Sequence, residues 1–214
     1  MKIVCMKVGV GYKSEFVNQM LHQIEKTNKI DDFICWTDNP RGLDSNVTVH
    51  NFKPKFNERL WWNKAMLFEP GLFESDTIYL DLDCFVHGDL SCFISAGQIL
   101  RTTWFSEEIN HYIFHCNVNS SVMYLKDDNF KTLYVEFTRL TERLYKSFYG
   151  LDSWIYRRHR PNVKFFEDGL AYSYKYGSIF PNDLLPYTTR DNHVVCCFDD
   201  VDDKYETLHK FWEK

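Results

Sequence analysis

A short apolar strand that ends in two aspartates is the sequence feature that most constrains the fold. Residues 77–80 are β-branched, aromatic or aliphatic and follow a turn-like polar segment, which predicts a short buried strand. Asp81 and Asp83 come directly after it, and side chains two residues apart share a face of an extended chain. Because ligands of open α/β sheets bind beyond the carboxyl ends of strands, we predict a ligand site at these carboxylates.

The chemistry of these two carboxylates suits a divalent cation. Hard oxygen donors on one face can chelate such an ion, and the ion can hold a diphosphate. An Asp-x-Asp triplet is a weak signal by itself, and Asp200-Val201-Asp202 is a second one in this chain. A solvated strand end is therefore the alternative interpretation, and the surrounding sequence has to decide.

Composition limits the classes of protein to consider. A chain of 214 residues predicts one domain with a sizeable core, and 17% aromatic residues suit a cleft with stacking surfaces. The net charge of −5 argues against general nucleic-acid binding. Seven cysteines without a Cys-x-x-Cys pair indicate reduced thiols in a cytoplasmic protein rather than a zinc site. No apolar run approaches the roughly 18 residues of a membrane span, and the N-terminus does not read as a signal peptide.

The order of the predicted elements is that of an α/β fold. Strands are expected at residues 2–8, 33–36, 47–49, 77–80, 84–86, 122–125 and 194–198. Helices are expected at about 15–26, 58–69, 130–147 and 150–160, the first of them capped by Ser14. The opening strand–helix–strand unit predicts a single-domain nucleotide-binding fold, with a mixed, mainly parallel central sheet flanked by helices.

Three motifs in this order resemble those of the nucleotide-sugar glycosyltransferases of the GT-A fold. They are Trp62-Asn63-Lys64, Phe68-Glu69-Pro70-Gly71-Leu72-Phe73 and Tyr79-Leu80-Asp81-Leu82-Asp83. The nearest are bacterial and phage proteins loosely related to the glycogenin and lipopolysaccharide galactosyltransferase group, and the resemblance covers nearly the whole chain. It implies a GT-A-like domain over 1–214, with a nucleotide- and metal-binding half at 1–90. An acceptor half, ending in a metal-ligand strand, would occupy 91–214.

The resemblance also implies an activity and a set of site residues. The activity would be metal-dependent transfer of a hexose from a nucleoside-diphosphate sugar, with a UDP-sugar as expected donor. The acceptor would be a glycan, a lipid-linked molecule or another hydroxyl compound. Mn²⁺ or Mg²⁺ would bind Asp81, Asp83 and Asp199, and the catalytic residues would be Lys64, Asn119 and Asp152. The donor would contact Lys7, Val8, Tyr12, Thr37, Asp38, Trp62, Lys64, Leu82 and Lys175.

Several positions depart from the family pattern. The family's terminal strand usually ends in a metal-binding His followed by Gly and a downstream Lys. Here Asp199 takes the place of the His, and Lys204 falls one position late. Carboxylate is a harder ligand than imidazole, so Asp199 would suit Mn²⁺ or Mg²⁺. Gly150–Trp154 lacks the family's two aspartates and has Asp152 in place of Gln, which makes Asp152 the candidate base if the transfer inverts.

Two alternatives remain open at this level. The first is a phosphatase of the haloacid dehalogenase type, with Asp81 as nucleophile and Asp83 as acid and base. Its motif normally opens the first strand, whereas about 80 residues precede it here, and Phe85 stands where Thr or Val is expected. The second is a non-catalytic protein that binds a nucleotide sugar, which the altered terminal motifs permit.

Overall fold

A computed structural model describes residues 1–101, 116–175, 193–198 and 203–212. The strands in these ranges are β1 (Lys2–Lys7), β2 (Asp32–Thr37), β3 (Thr48–Asn51), β4 (Thr77–Leu80), β5 (Cys84–Val86), β6 (Ile99–Arg101), β7 (Val118–Leu125), β8 (Ala171–Ser173) and β9 (Val195–Cys197). The α-helices are α1 (Ser14–Thr27), α2 (Lys131–Ser147), α3 (Leu151–Trp154) and α4 (Lys204–Trp212). Three 3-10 segments (Leu60–Phe68, Leu90–Phe93 and Arg160–Asn162) and a π-turn (Ile155–His159) complete the described elements.

The central sheet is mixed and mainly parallel, as predicted. Its strand order is β3-β2-β1-β4-β7-β6, and the first four strands are parallel to one another. β7 runs antiparallel to both of its neighbours, β4 and β6. A smaller sheet has the order β5-β9-β8. β1 is hydrogen-bonded to β2 on one side and to β4 on the other, so a crevice can open at the carboxyl ends of β1 and β4.

Two apolar layers cover the faces of the central sheet. One contains the buried face of α1 and the smaller sheet, and the other contains the 60–68 segment, α2 and Trp154. β4 supplies both layers by strict alternation, because Ile78 and Leu80 belong to the first layer and Tyr79 to the second. A strand buried on both faces explains why 77–80 reads as a continuous apolar run.

The 60–68 segment differs from the α-helix predicted at 58–69, because it winds as a 3-10 helix. Its fixed point is Asn63, which is fully buried. The Asn63 amide nitrogen donates to the carbonyls of Phe56 and Leu60, and its oxygen accepts from the amides of Lys55 and Phe56. One side chain thus satisfies four backbone groups and ties the preceding loop to the segment.

Two other expectations are corrected. The residue that caps α1 is Lys13, and Ser14 lies inside the helix, where its hydroxyl donates to the carbonyl of Arg41 at 2.5 Å. β7 begins at Val118, four residues before the strand predicted at 122–125, so the polar residues 119–121 belong to a buried strand. A strand can bury them because their polar atoms are hydrogen-bonded, as in the contact from Lys64 to Ser120.

The cysteines and the length of the helices also bear on the sequence-based predictions. All seven cysteines are free thiols, five of them buried. Within the described ranges, no helix combines the length and the apolar character needed to cross a lipid bilayer.

Candidate active site

A cleft of about 330 Å³ lies at the carboxyl ends of β1 and β4, where the topology allows a crevice. Segments on three sides of it provide the lining. They are the end of β1 with the loop after it (Met6, Val8, Gly11, Tyr12), the end of β4 with the residues after it (Tyr79, Asp81, Leu82, Asp83), and a third group from more distant segments (Glu58, Leu60, Trp61, Lys64, Lys204). Both aspartates of the central motif therefore face one cavity.

The carboxylate of Asp81 is held by a lysine and a tyrosine. Lys64 Nζ lies 2.8 Å from Oδ2, and the hydroxyl of Tyr79 donates to Oδ1 at 2.5 Å. Burial, followed by the negative charge of Asp81, raises the pKa of Tyr79 well above its usual value, so its phenol stays protonated and donates. Lys64 Nζ also donates to Ser120 Oγ at 2.9 Å. The lysine thereby links the end of β4 to β7.

The carboxylate of Asp83 has a matching arrangement. Lys204 Nζ lies 2.8 Å from Oδ2, and the hydroxyl of Tyr12 donates to the same oxygen at 3.1 Å. Burial, with the charges of Asp83 and Asp81, holds the pKa of Tyr12 far above its usual range, so this phenol is also a donor. Each aspartate is thus neutralised by one ammonium group and hydrogen-bonded by one phenol.

The apolar segment at 60–68 positions Lys64 through its neighbours. Trp62 is fully buried, and its Nε1 donates to the carbonyl of Tyr149 at 3.3 Å. Trp62 therefore packs in the core and does not line the cleft, in contrast to the predicted donor contact. Trp61 lines the cleft instead. Two tryptophans in succession on an apolar segment must point in different directions, and the hydrophobic pattern alone does not tell which one faces the ligand.

Asp152, at the start of α3, lies beside the same lysine. Its carboxyl is near Ser120, and burial raises its pKa, against the lowering influence of Lys64 and of the Ser120 hydroxyl and amide. Among the residues that the structure describes, its Oδ1 is a buried acceptor without a hydrogen-bond partner. A buried oxygen in this condition is unusual, and it suits a group that receives a proton or a hydroxyl from a ligand.

The predicted nucleoside residues surround the loop after β2. Lys7 and Thr37 are buried; Lys7 Nζ and Thr37 Oγ1 donate to the carbonyl of Asn39 at 2.9 and 3.1 Å. Asp38 accepts from the amide of Gly9 through both oxygens, at 3.2 and 3.0 Å. Gly9 has a φ of 71°, in the left-handed region that favours glycine, and a Cβ there would lie 2.7 Å from the end of the Leu60 side chain, so a larger residue would be strained. These hydrogen bonds hold the loops that follow β1 and β2, whereas Val8, Tyr12 and Leu82 line the cleft itself.

Two other predicted residues lie in different surroundings. Asn119 is buried on β7, where its Oδ1 accepts from the amide of Ser121 at 2.8 Å. Lys175 is exposed just beyond β8 and does not line the cleft. Asp199 lies outside the described residues.

The donor set of the cleft fits a hard divalent cation bound together with a phosphate ligand. Within the described part of the chain, no group of three His, Cys, Asp or Glu side chains could hold a metal by itself. Asp81 and Asp83 offer carboxylate oxygens, and Mg²⁺ is usually bound by one or two carboxylates together with substrate phosphates and water. Their lysine partners can in turn neutralise the phosphates. The expected Mn²⁺ or Mg²⁺ therefore fits these residues as a complex with a diphosphate.

Sequence reasoning overlooked some of the residues that build the cleft. Ser120 joins Lys64 to β7, and nothing in its local sequence indicates this. Tyr79 was a detectable contact, because a residue two positions before Asp81 shares its face of the strand. Lys204 approaches Asp83 from a distant segment of the chain; it falls one position late in the family pattern and was therefore left out of the predicted site.

Comparison with known proteins supports the fold. No protein-family model matches the chain, and no curated protein matches it significantly. Among solved structures, the galactosyltransferase LgtC in complex with donor and acceptor sugar analogues is 13% identical, with a TM-score of 0.64 over 100% of this chain and 95% of that one. Glycosyltransferase GlyE of Streptococcus pneumoniae TIGR4 is 14% identical, with a TM-score of 0.65 over 100% of this chain and 60% of that one.

A third similar structure comes from a virus. A glycosyltransferase involved in glycosylation of the major capsid of PBCV-1 is 12% identical, with a TM-score of 0.58 over 99% of this chain and 98% of that one. The chain thus has the fold of these glycosyltransferases. In this fold the Asp-x-Asp motif follows β4, the fourth strand along the chain, whereas the motif of the phosphatase alternative normally opens the first strand.

Proposed function

We propose that this GT-A-like domain transfers a sugar from a nucleoside-diphosphate sugar, with UDP as the expected nucleotide, to an acceptor hydroxyl in a metal-dependent reaction. The observation that carries the proposal is the pair of carboxylates at the carboxyl end of β4. Each forms an ion pair with a lysine, and all four side chains line one cleft. When a metal and a diphosphate bind, the two aspartates can bind the metal and the two lysines can bind the phosphates. Each charged group then keeps a partner of opposite charge.

The chemistry of each residue in the cleft suggests its role in binding the donor. Asp81 and Asp83 would hold Mn²⁺ or Mg²⁺, which when bound would neutralise charge on the diphosphate. Lys64 and Lys204 would donate to phosphate oxygens. Tyr12 would lie against the base, beside the loops that Lys7, Thr37 and Asp38 hold by hydrogen bonds. Leu82 and Val8 would exclude water from the donor.

The transfer exchanges one bond to the anomeric carbon for another. The acceptor oxygen forms a bond to that carbon, and the bond between the carbon and the diphosphate oxygen breaks. The electron pair leaves with the diphosphate, whose negative charge Lys64 stabilises. If the reaction inverts, Asp152 accepts the proton of the acceptor hydroxyl, and its position beside Ser120 and Lys64 suits that role.

The test is thermal denaturation with UDP, GDP and their sugars, each with Mn²⁺ and again with EDTA. A ligand that binds only the native state raises the melting temperature by mass action. We expect an increase with UDP or a UDP-sugar that needs Mn²⁺ and disappears with EDTA. No increase with any nucleotide would refute the proposed donor site. Binding of a UDP-sugar without transfer or slow hydrolysis would indicate a non-catalytic binding protein instead.

A further inference from the structure

Two neighbouring exposed aromatic side chains, one of which lines the cleft, are not used by the donor site proposed above. Trp61 lines the cleft with 41% of its surface exposed, and Tyr149 beside it is 69% exposed. Their ring centroids lie 5.6 Å apart, with the ring planes inclined at 37°. Two adjoining aromatic surfaces in contact with solvent favour a ligand that covers them, because burying aromatic area gains free energy.

The protein holds this pair in place by the edge of the Trp61 ring, by the backbone, and by a guanidinium group over one face of the Tyr149 ring. Trp61 Nε1 donates to the carbonyl of Tyr149 at 3.4 Å. A Cβ on Gly150 would lie 3.0 Å from that nitrogen, so the glycine allows the indole to lie against the chain. Arg59 donates to the carbonyls of Tyr145 and Phe148 and lies 5.8 Å from the ring of Tyr149. The pair is thus supported from one side, and its exposed ring surface remains available to a ligand.

The location of the pair connects it to the acceptor side of the reaction. Trp61 stands three residues before Lys64 on the same 3-10 segment, and Tyr149 stands three residues before Asp152. The residues expected to surround the nucleoside, by contrast, belong to β1, β2 and the loops that follow them. A ligand that covers the aromatic pair therefore lies on the two segments that carry Lys64 and Asp152, the second of which would accept the proton of the attacking hydroxyl.

We infer that Trp61 and Tyr149 form a stacking platform for a sugar ring of the acceptor, which makes the acceptor a carbohydrate. The inference rests on the proposed glycosyl transfer. One face of a pyranose presents C–H bonds with slight positive charge, which are attracted to the negative face of an aromatic ring. Its hydroxyls project from the rim, where they remain free to react. A hydroxyl on a flexible peptide or lipid chain does not need two supported aromatic surfaces.

The experiment is saturation-transfer NMR on the protein with UDP and Mg²⁺ present, because Mg²⁺ is diamagnetic and leaves the proton signals of a bound saccharide intact. The probes are methyl β-D-glucopyranoside, methyl β-D-galactopyranoside, maltose and lactose at millimolar concentration. We expect saturation to reach the protons of one ring face in at least one probe. Trp61→Ala and Tyr149→Ala should weaken that signal about fivefold, whereas Trp61→Phe should retain most of it, because a phenyl ring still stacks. Tyr156→Ala is the matched control, since Tyr156 contacts Arg157 and Arg160 and does not line the cleft.

Binding of UDP, measured on the same samples, separates this inference from the proposed function. A saccharide signal that survives both alanine substitutions would overturn the platform, as would the absence of any signal from wild-type protein with UDP bound. Loss of UDP binding in Trp61→Ala with an unchanged saccharide signal would also overturn it, because the indole would then serve the nucleotide. A Trp61-dependent saccharide signal in protein that binds no nucleotide would uphold the platform and refute the donor site.

Discussion

Lys204 Nζ lies 2.8 Å from Asp83 Oδ2, although the two residues are 121 positions apart in the chain. This contact attaches α4 to the end of the central motif, and the hydroxyl of Tyr205 adds a hydrogen bond to the carbonyl of Gly11. The side chain of Lys204 is 29% exposed and that of Asp83 is 9% exposed. The ammonium group thus neutralises a largely buried carboxylate and still has access to the cleft.

Removing the ammonium group should separate binding of the metal from binding of the nucleotide. Lys204→Met leaves Asp83 without its counter-charge, so we expect free Mn²⁺ to bind more tightly, by up to about fivefold for a partly exposed pair. Binding of UDP with Mn²⁺ should weaken, because a phosphate loses its donor. Calorimetric titration of both ligands measures the two effects. Lys126→Met is the control, since Lys126 pairs with Asp76 at 3.0 Å outside the cleft. Parallel changes in both affinities would contradict the exchange of partners.

Asp83→Asn should remove metal-dependent donor binding. The amide keeps the shape of the side chain, and the hydrogen bond from the Phe198 amide to the carbonyl of residue 83 is retained because it joins backbone atoms. The negative charge that attracts the cation is lost. We expect the increase in melting temperature with UDP and Mn²⁺ to disappear. Asp128→Asn, which disrupts an exposed pair with Lys131, should leave it intact. An unaltered response in Asp83→Asn would refute the assignment of Asp83 as a metal ligand.

Lys64→Met should destabilise the protein in a way that added metal restores. The side chain of Lys64 is 10% exposed and that of Asp81 is 22% exposed, so the substitution leaves a poorly solvated carboxylate without its partner. We expect a loss of about 1–3 kcal/mol in the free energy of unfolding, less than for a fully buried pair. Because Mn²⁺ can replace the ammonium group beside Asp81, it should stabilise Lys64→Met more than wild type. Equal stabilisation of both proteins would argue against a cation at Asp81.

Asp152→Asn should be more stable than wild type at neutral pH. Burial raises the pKa of Asp152, so its ionised form costs free energy in the folded state. Relative to the variant, wild type is most stable below the ordinary pKa of about 3.9 and loses stability as pH rises through the folded pKa. We expect Asp152→Asn to melt about 2–4 °C higher at pH 7, with a smaller gap near pH 4. A difference in melting temperature that grows as the pH falls would contradict the prediction.

Glu136 should show the opposite dependence on pH. Burial alone would raise its pKa, but hydrogen bonds and charges from His159 and Arg158 outweigh that and lower it. The stability that the carboxylate provides is therefore present above its unfolded pKa of about 4.5 and lost as pH falls through the folded pKa. Glu136→Gln should cost about 1–3 kcal/mol at pH 7 and less at pH 3.5, by denaturant unfolding. Exposed Glu142→Gln serves as control, and a constant difference across this range would contradict the prediction.

The local features of this protein follow from its amino-acid sequence alone. The strand at 77–80 and its position before two carboxylates were predictable because a run of apolar residues with a turn on each side depends only on neighbours. The same holds for α1, whose apolar face repeats with the helical period and is buried as predicted. A mainly parallel sheet follows from alternating strands and helices, and a cleft at the carboxyl end of β4 follows from that sheet.

The set of side chains that meet in the cleft depends on the packing of distant segments. Lys204 reaches Asp83 and Ser120 reaches Lys64 across long stretches of chain, and no local pattern encodes those contacts. Trp61 and Trp62 are indistinguishable in an apolar segment, so packing had to determine which of them lines the cleft. Periodicity tells which residues can be buried, but the partner of a charged or aromatic group depends on how distant segments pack together, because that packing sets the distance between them.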